Sequence, residues 1–355
     1  MGKIHGKTSV ITFLKKKHRR LRVLPVTLLI TFIVAFILGS SGCQIGKIPK
    51  ASIVESRSED LKIHVYKSPP MDSVNLYWLE ADQGIIAIDT GRFISQAKYA
   101  LSQIRASSNK PIIGILITHP HTDHYGGLPV FKAAAIENVP IYASQATYDD
   151  MRTDGQGFIK ARNRLHGNDF PDHGEIPLPN RIVKDGEEIQ IGGLTFQVIE
   201  LLKNETIVTT LYYLPKQGTL FAGDFVTNKT IPFLADGNSS NWLVQINTLL
   251  KQYPNLKTIY PGHGNPGPAK KLLQAQIAYV QSLRNLLTSA LAADGEVTKE
   301  EKAGIITEME KRYPDYEASL LVPGLLNRNV EGIAKEMKQM QAKQQGTTPE
   351  IQSAF

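Results

Sequence analysis

"THPHTDHYGG", Thr118–Gly127, gathers three of the chain's nine histidines and one aspartate into the six residues from His119 to His124. The run before it, "PIIGILIT", is apolar and of strand length, and it delivers the chain directly into the cluster. On a regular strand His119 and His121 would share a face but stand about 6–7 Å apart, too far to hold one ion. Pro120 between them forbids continued strand or helix. The two histidines therefore sit in a loop at a strand end, where they can converge. Asp123 and His124 follow in the same loop and could face a second ion. Imidazole together with carboxylate suits zinc, manganese or iron, and gives no preference for calcium or magnesium, which favour all-oxygen shells.

A metal site closes with ligands from distant positions. "FAGDF" ends an apolar run at Asp224 and "YPGHG" ends another at His263. Each alone reads as a turn residue or helix cap; beside the histidine cluster they are the natural completing ligands. Other short runs rich in β-branched and aromatic residues read as strands: "VPIYAS", "LTFQVIEL", "IVTTLYYLP", "GTLFAG" and "LKTIYPG". "VNLYWLEADQGIIAIDTG" reads as two strands joined at Asp82-Gln83-Gly84, and "SQAKYALSQIRA" has helical spacing. From Pro266 the character changes. Leu272, Leu273, Ile277, Val280, Leu283, Leu287 and Leu291 form a helical stripe ended by Asp294-Gly295, and Thr298 with Glu301 has the spacing of a capping box.

The formal charge of +7 suggests a nucleic-acid or anionic-membrane partner until it is located. Residues 1–42 carry eight basic side chains and no acidic one. The remaining body has 32 Lys and Arg against 33 Asp and Glu, a net of −1. That argues against a phosphate-binding groove and a nucleic-acid substrate. No phosphate-cradling Gly-rich loop follows a strand, which disfavours a flavin-linked partner.

The N-terminal segment has the order of an export signal: the basic stretch "KKKHRRLR", the apolar run "VLPVTLLITFIVAFILG", small residues, then Cys43. The apolar run is marginal for a membrane span of about 20 residues. Cys43 is the only cysteine, so no intramolecular disulfide can form. Its place after Ser41 and Gly42 resembles a bacterial lipoprotein signal, although Ser40 stands where an aliphatic residue is usual. The expectation is an exported protein of the cell envelope, held at the membrane by this anchor or by lipidation of Cys43. The alternative is an uncleaved anchor with an incidental cysteine. The expected organisation is a signal and anchor over 1–43, a tether over 44–60, a catalytic domain over 61–267, a helical extension over 268–340 and a disordered tail over 341–355.

"DTG", "THPHTDHYGG", "FAGD" and "YPGHG", in this order and spacing, resemble the metallo-β-lactamase superfamily over roughly Leu61 to Gly267. The resemblance implies an α+β fold, an αββα four-layer sandwich with the metal site between the sheet edges, here with the C-terminal helical extension added. It implies His119 and His121 at one metal, Asp123, His124 and His263 at the other, and Asp224 bridging, with zinc as the expected ion and two per chain as the full complement. It also suggests that Asp89 steadies the histidine loop. One departure stands out. The family usually supplies a third histidine to the first metal, where this chain reads "KNET" with Glu205. Glu205 either ligates through its carboxylate, leaves the first metal weak or absent, or marks a site without catalysis. His166 and His173, in "LHGNDFPDHGEIPLP", are candidate substitutes, members of a loop covering the pocket, or simply solvent-facing residues.

The expected chemistry is hydrolysis by metal-bound hydroxide, with Asp123 as catalytic residue orienting that hydroxide and carrying a proton to the leaving group. Esters, lactones, thioesters, β-lactams and phosphodiesters all remain open as substrates, because the fold does not choose among them. A non-catalytic or one-metal binding protein on the same fold is the competing reading. A one-iron sulfur dioxygenase is disfavoured by the missing histidine. Phe233 and Trp242, after Asp224, are candidates to shape substrate access or merely to pack. The helical extension packs on the body, walls the pocket or forms a dimer face.

Overall fold

Alternation along the strands decides the layering. The computed structural model describes residues 52–58, 61–69, 74–318 and 322–344. The unit Met1–Ile48, with the expected signal and Cys43, lies outside them, as does the end of the tail. Four strands come first: β1 (Ser52–Ser58), β2 (Leu61–Lys67), β3 (Asn75–Glu80) and β4 (Ile85–Ile88). Helix α1 (Ile94–Ser107), β5 (Ile112–Leu116), the single helical turn α2 (Thr122–Tyr125) and α3 (Leu128–Ala134) follow. Next are β6 (Ile141–Ser144), α4 (Gln145–Thr153), α5 (Phe158–His166) and β7 (Arg181–Val183). These seven strands form one sheet in sequence order, antiparallel from β1 to β4 and parallel from β4 to β7.

In this sheet the odd and even side chains have different destinations. Leu76, Trp78, Ile85, Ala87 and Ile115 enter a core with Ala97, Ala100 and Ile104 of α1, Phe131 of α3 and Met151 of α4. Tyr77, Leu79, Ile86, Ile88 and Leu116 enter a second core on the other face. Burial on both faces explains why "IIAI" and "IIGIL" are continuous apolar runs rather than alternating ones.

The second core is shared with another sheet, built from β8 (Glu188–Ile191), β9 (Leu194–Leu202), β10 (Val208–Leu214), β11 (Thr219–Thr227), β12 (Thr258–His263) and β13 (Gly267–Pro268), in the order β13-β12-β11-β10-β9-β8. Phe196, Val198, Tyr212, Leu214, Phe221 and Tyr260 supply its side. The outer face of this sheet is covered by α6 (Ser239–Gln252), α7 (Ala269–Asp294), α8 (Lys299–Arg312) and α9 (Leu325–Gln344) through a third core. Helix, sheet, sheet, helix is the four-layer α+β sandwich expected.

The C-terminal helices form as their sequence dictates. The α7 stripe is buried, and the helix stops at Gly295 in the left-handed conformation. Thr298 and Glu301 close a capping box at the start of α8. Side chains from α9 lock it to the body. Glu336 accepts from the Ser239 and Ser240 backbone N–H groups at the start of α6, and Asn329 exchanges hydrogen bonds with Pro232 and Leu234 just beyond β11. Two boundaries differ from expectation. Ser52–Ser58, within the segment read as a tether, pairs residue for residue with β2 as an edge strand. Helix α9 continues to Gln344, past the expected end at 340. Among the described residues no helix is long and apolar enough to cross a membrane.

Candidate metal centre

The candidate residues converge because of where their strands end. Asp89 follows β4, His119 follows β5, and His263 closes β12, so all three lie at the carboxyl ends of parallel-paired strands. Asp224 lies inside β11, where the pairing with β12 slips between Phe221 and Thr227. Such an irregularity re-aims a side chain that a regular strand would bury in its own sheet. Gly262 makes room for the result. A Cβ there would lie 1.9 Å from Asp224 Oδ1, so only glycine fits. Gly126 is under the same constraint, since its Cβ would stand 2.0 Å from the Arg92 carbonyl oxygen and would force the helical turn α2 away from the Asp89 loop.

Two groups of four ligand atoms result, each with all atoms within 4.8 Å of one another. The first is His119, His121, Glu205 and Asp224; the second is Asp123, His124, Asp224 and His263. Asp224 belongs to both. Its Oδ2 lies 3.8 Å from His119 Nε2 and 3.2 Å from His263 Nε2, and its Oδ1 lies 3.3 Å from His124 Nε2. His121 Nδ1 is 3.1 Å from Glu205 Oε1. A tetrahedral ion with bonds of about 2.0–2.1 Å separates its ligand atoms by roughly 3.3 Å, the scale of these contacts. His119 Nε2, His124 Nε2, Glu205 Oε2 and Asp224 Oδ1 are buried without a hydrogen bond of good geometry. Buried polar atoms are normally satisfied, so this concentration of unsatisfied acceptors fits a pair of cations.

The supporting contacts fix which ring nitrogen faces inward. Asp89, 2% exposed and at φ 55°, accepts from the Thr118 backbone N–H at 2.9 Å, from the Thr118 hydroxyl at 2.8 Å and from His124 Nδ1 at 2.8 Å. His124 thereby presents Nε2 to the centre, as carboxylate-supported metal histidines do. Because the single Thr118 hydroxyl hydrogen goes to Asp89, His119 Nδ1, 2.9 Å away, donates to that hydroxyl, and its Nε2 lone pair also faces inward. The role expected of Asp89 thus has a geometry, and Thr118 shares it. Sequence reasoning passed over Thr118, whose only signal was its place beside His119.

Glu205 is presented by the turn between β9 and β10, where Asn204 Oδ1 accepts from the Glu205 N–H and from the Thr209 hydroxyl. Burial raises the Glu205 carboxyl above its ordinary range, with His121 opposing. Burial pushes Asp123 the same way, yet Arg92, then His124 and His263, holds it well below the usual carboxylate range. Asp224 is likewise held low against burial by His263 and His124. Burial lowers His119 well below the imidazole range, with His124 adding to it. His263 behaves oppositely, raised to about 10 against burial by Asp224 and Asp123.

Arg92, two residues beyond Thr90 and 2% exposed, was not anticipated. Its Nη2 lies 3.2 Å from Asp123 Oδ2. In the sequence it is an unremarked arginine after "DTG". His166 and His173 join neither ligand group among the described residues. The His166 ring packs edge-on against Phe93, and His173 Nε2 meets the Met151 carbonyl at 2.8 Å. Phe233 lines the cleft and contacts His121, whereas Trp242 is fully buried in the third core, with Nε1 donating to the Phe225 carbonyl. Trp242 therefore packs, and the face of α6 on which it lies decides this.

The family model of the metallo-β-lactamase superfamily matches residues 69–263, more than half of the chain. The chain belongs to the metallo-β-lactamase superfamily. Among its superfamily relatives, metallo-β-lactamase IND-1 of Chryseobacterium indologenes is 24% identical over 209 residues, which is 57% of this chain and 78% of that protein. The hydroxyacylglutathione hydrolase of Bdellovibrio bacteriovorus is 24% identical over 277 residues, 76% of this chain and 94% of its own. A solved metallo-β-lactamase family protein from Thermus thermophilus superimposes with a TM-score of 0.55 at 20% identity, over 84% of this chain and 94% of that one. This last likeness is one of fold.

Proposed function

We propose that this superfamily member is a metal-dependent hydrolase of an activated acyl bond, in a carboxylic ester, lactone, thioester or β-lactam. His119, His121, Glu205 and Asp224 would hold one divalent ion, zinc by preference, and Asp123, His124, His263 and the shared Asp224 the other. The observation that carries the reading is the sharing of Asp224 between two four-atom ligand groups at one cleft. Bound divalent ions supply a nucleophile at neutral pH and polarise the bond under attack. The chain's own residues do the rest. Asp123, with Arg92 against one carboxylate oxygen, is an acceptor suited to orienting the attacking water, and this contact favours that role over carrying a proton. The buried rings of His119 and His124 exclude bulk water beneath the site. The competing binding-protein reading rests on a missing third histidine, and the position of Glu205 within the first group supports hydrolysis over it.

Elemental analysis of the full chain, purified without a histidine tag, tests the reading. About two zinc ions per chain are expected, with ester hydrolysis lost on chelation and restored by zinc. No bound metal after zinc is supplied would end the hydrolase reading. We also propose, from the order of basic stretch, apolar run and Cys43, that the body is exported and held at the membrane. Fractionation of Cys43→Ala against the wild type checks lipid attachment, which fails as an explanation if both remain equally membrane-bound.

A further inference from the structure

The cleft that opens from the ligand groups has a volume of about 460 Å³, within the range of small-molecule sites. Its outer part differs in chemistry from its floor. Phe158 of α5 and Phe233 both stand edge-on to the His121 ring, at centroid distances of 5.3 and 6.2 Å. Beyond them the wall continues through Leu165, Ile231, Val322 and Leu325. Leu165 is 68% exposed, and Phe158, Ile231, Phe233 and Val322 are only half-buried. These apolar side chains thus meet water around one opening, and they come from three separate segments. Large apolar groups left partly exposed around a concave site mark a surface that an apolar ligand covers. Among the described residues, the charged side chains lining the cleft outside the two ligand groups are arginines, Arg92, Arg162 and Arg328, which selects against a cationic ligand.

The segments forming this throat are held in place. Ser95 ties down the end of α5 through Asp169, and Phe93 packs on His166. Asn329 and Glu336 fasten α9 to the loop after β11 and to α6. The C-terminal extension therefore contributes a fixed wall of the cleft as well as a packing layer.

We propose that the substrate carries an aliphatic chain of about six carbons or more, which lies in this throat between α5 and the start of α9 while its ester-type bond sits over the ligand groups. The placement of the ester-type bond over the ligand groups rests on the hydrolase reading; the binding of the chain in the throat does not. For a carboxylic ester the step is ordinary hydrolysis: the acyl–oxygen bond breaks, hydroxide from water goes to the acyl carbon and its proton to the departing oxygen, giving a carboxylic acid and an alcohol. Each methylene removed from water multiplies affinity about three- to fourfold.

The test compares p-nitrophenyl octanoate with p-nitrophenyl acetate on the zinc-supplemented full chain, alongside binding of a dansyl-labelled undecanoate. The expected octanoate-to-acetate ratio of kcat/KM is at least ~30, for burial of about half of the added methylenes. Leu165→Asp, at an exposed position, should cut that ratio by ~10-fold and weaken the dansyl probe by a similar factor. Val244→Asp, exposed on α6 and outside the cleft lining, should change neither. Equal rates on the two esters, or a ratio untouched by Leu165→Asp, overturn the throat while leaving the hydrolase standing. Hydrolysis of neither ester with Leu165-dependent probe binding overturns the hydrolase and leaves the throat. Neither hydrolysis nor probe binding overturns both.

Discussion

The two ligand groups share Asp224 yet are built differently. In the second, the three members it does not share are braced: Asp89 holds His124, Arg92 faces Asp123, and Asn75 of β3 donates to the Pro261 and Gly264 carbonyls on either side of His263. The first depends on the turn between β9 and β10, where Asn204 Oδ1 accepts from the Glu205 N–H and Asn238, Asn241 and Gln245 tie the turn to α6. Thr118 stands behind His119, and the Phe158 ring packs edge-on against His121. Each group holds two carboxylates, Asp224 being common to both. The first contains Glu205, a carboxylate at the position where the resemblance implied an imidazole. The two halves thus differ in where their support comes from: the strand ends and the Asp89 loop for the second, the β9–β10 turn and α6 for the first.

The largest effect should come from the member common to both. Asp224→Ala removes a ligand from each group and leaves the neighbouring histidines without their carboxylate. Zinc content should fall to one ion per chain or fewer, and kcat/KM should drop by ~1,000-fold or more, the several kcal/mol that metal activation supplies. Retention of two ions, measured by mass spectrometry of the intact protein, would show that Asp224 does not join the groups.

Glu205→Gln separates the halves. The amide keeps the shape and loses the charge, so the first ion should be lost on mild chelation while the second is retained, with activity down by ~100-fold. Glu205 is 2% exposed, and burial disfavours its charge. The metal-free variant should therefore be no less stable than metal-free wild type, while the zinc-loaded variant melts earlier than loaded wild type. If both ions leave together, the halves are not independent. If both stay, Glu205 is not a ligand.

What the sequence made legible has a physical boundary. His119, His121, Asp123 and His124 are adjacent in the chain and His263 closes an apolar run, so period and punctuation suffice to find them, whereas Asp224, read as a strand exit, lies inside β11 and reaches the cleft through the irregular pairing with β12. The helix stop at Gly295 and the Thr298–Glu301 box are legible for the same local reason. Arg92 is not. An arginine in a turn reads as surface until Gly126 lets α2 approach its backbone and Asp123 meets its guanidinium. Phe233 and Trp242 carry the same sequence signal and part company only through the side of the chain each faces. Ser52–Ser58 looks polar because an edge strand needs an apolar neighbour on one face only, and Ile53 packs against the helical core while Val54 stays half exposed.

The smallest predicted effect tests how far the first group relies on one hydroxyl. Thr118→Val keeps the volume and the backbone N–H that bonds Asp89, and removes the group that donates to Asp89 and accepts from His119. His119 Nδ1–H and one Asp89 oxygen then lose a partner in a buried setting, at a cost of about 1–3 kcal/mol. If the hydroxyl also sets the tautomer of His119, affinity for the first ion should fall ~10-fold while the second is unchanged, and Thr118→Ser should restore it. A fall in melting temperature with both affinities intact would reduce Thr118 to a packing residue. Selective weakening of the first ion, rescued by serine, would show that a single hydroxyl does for His119 what the Asp89 carboxylate does for His124.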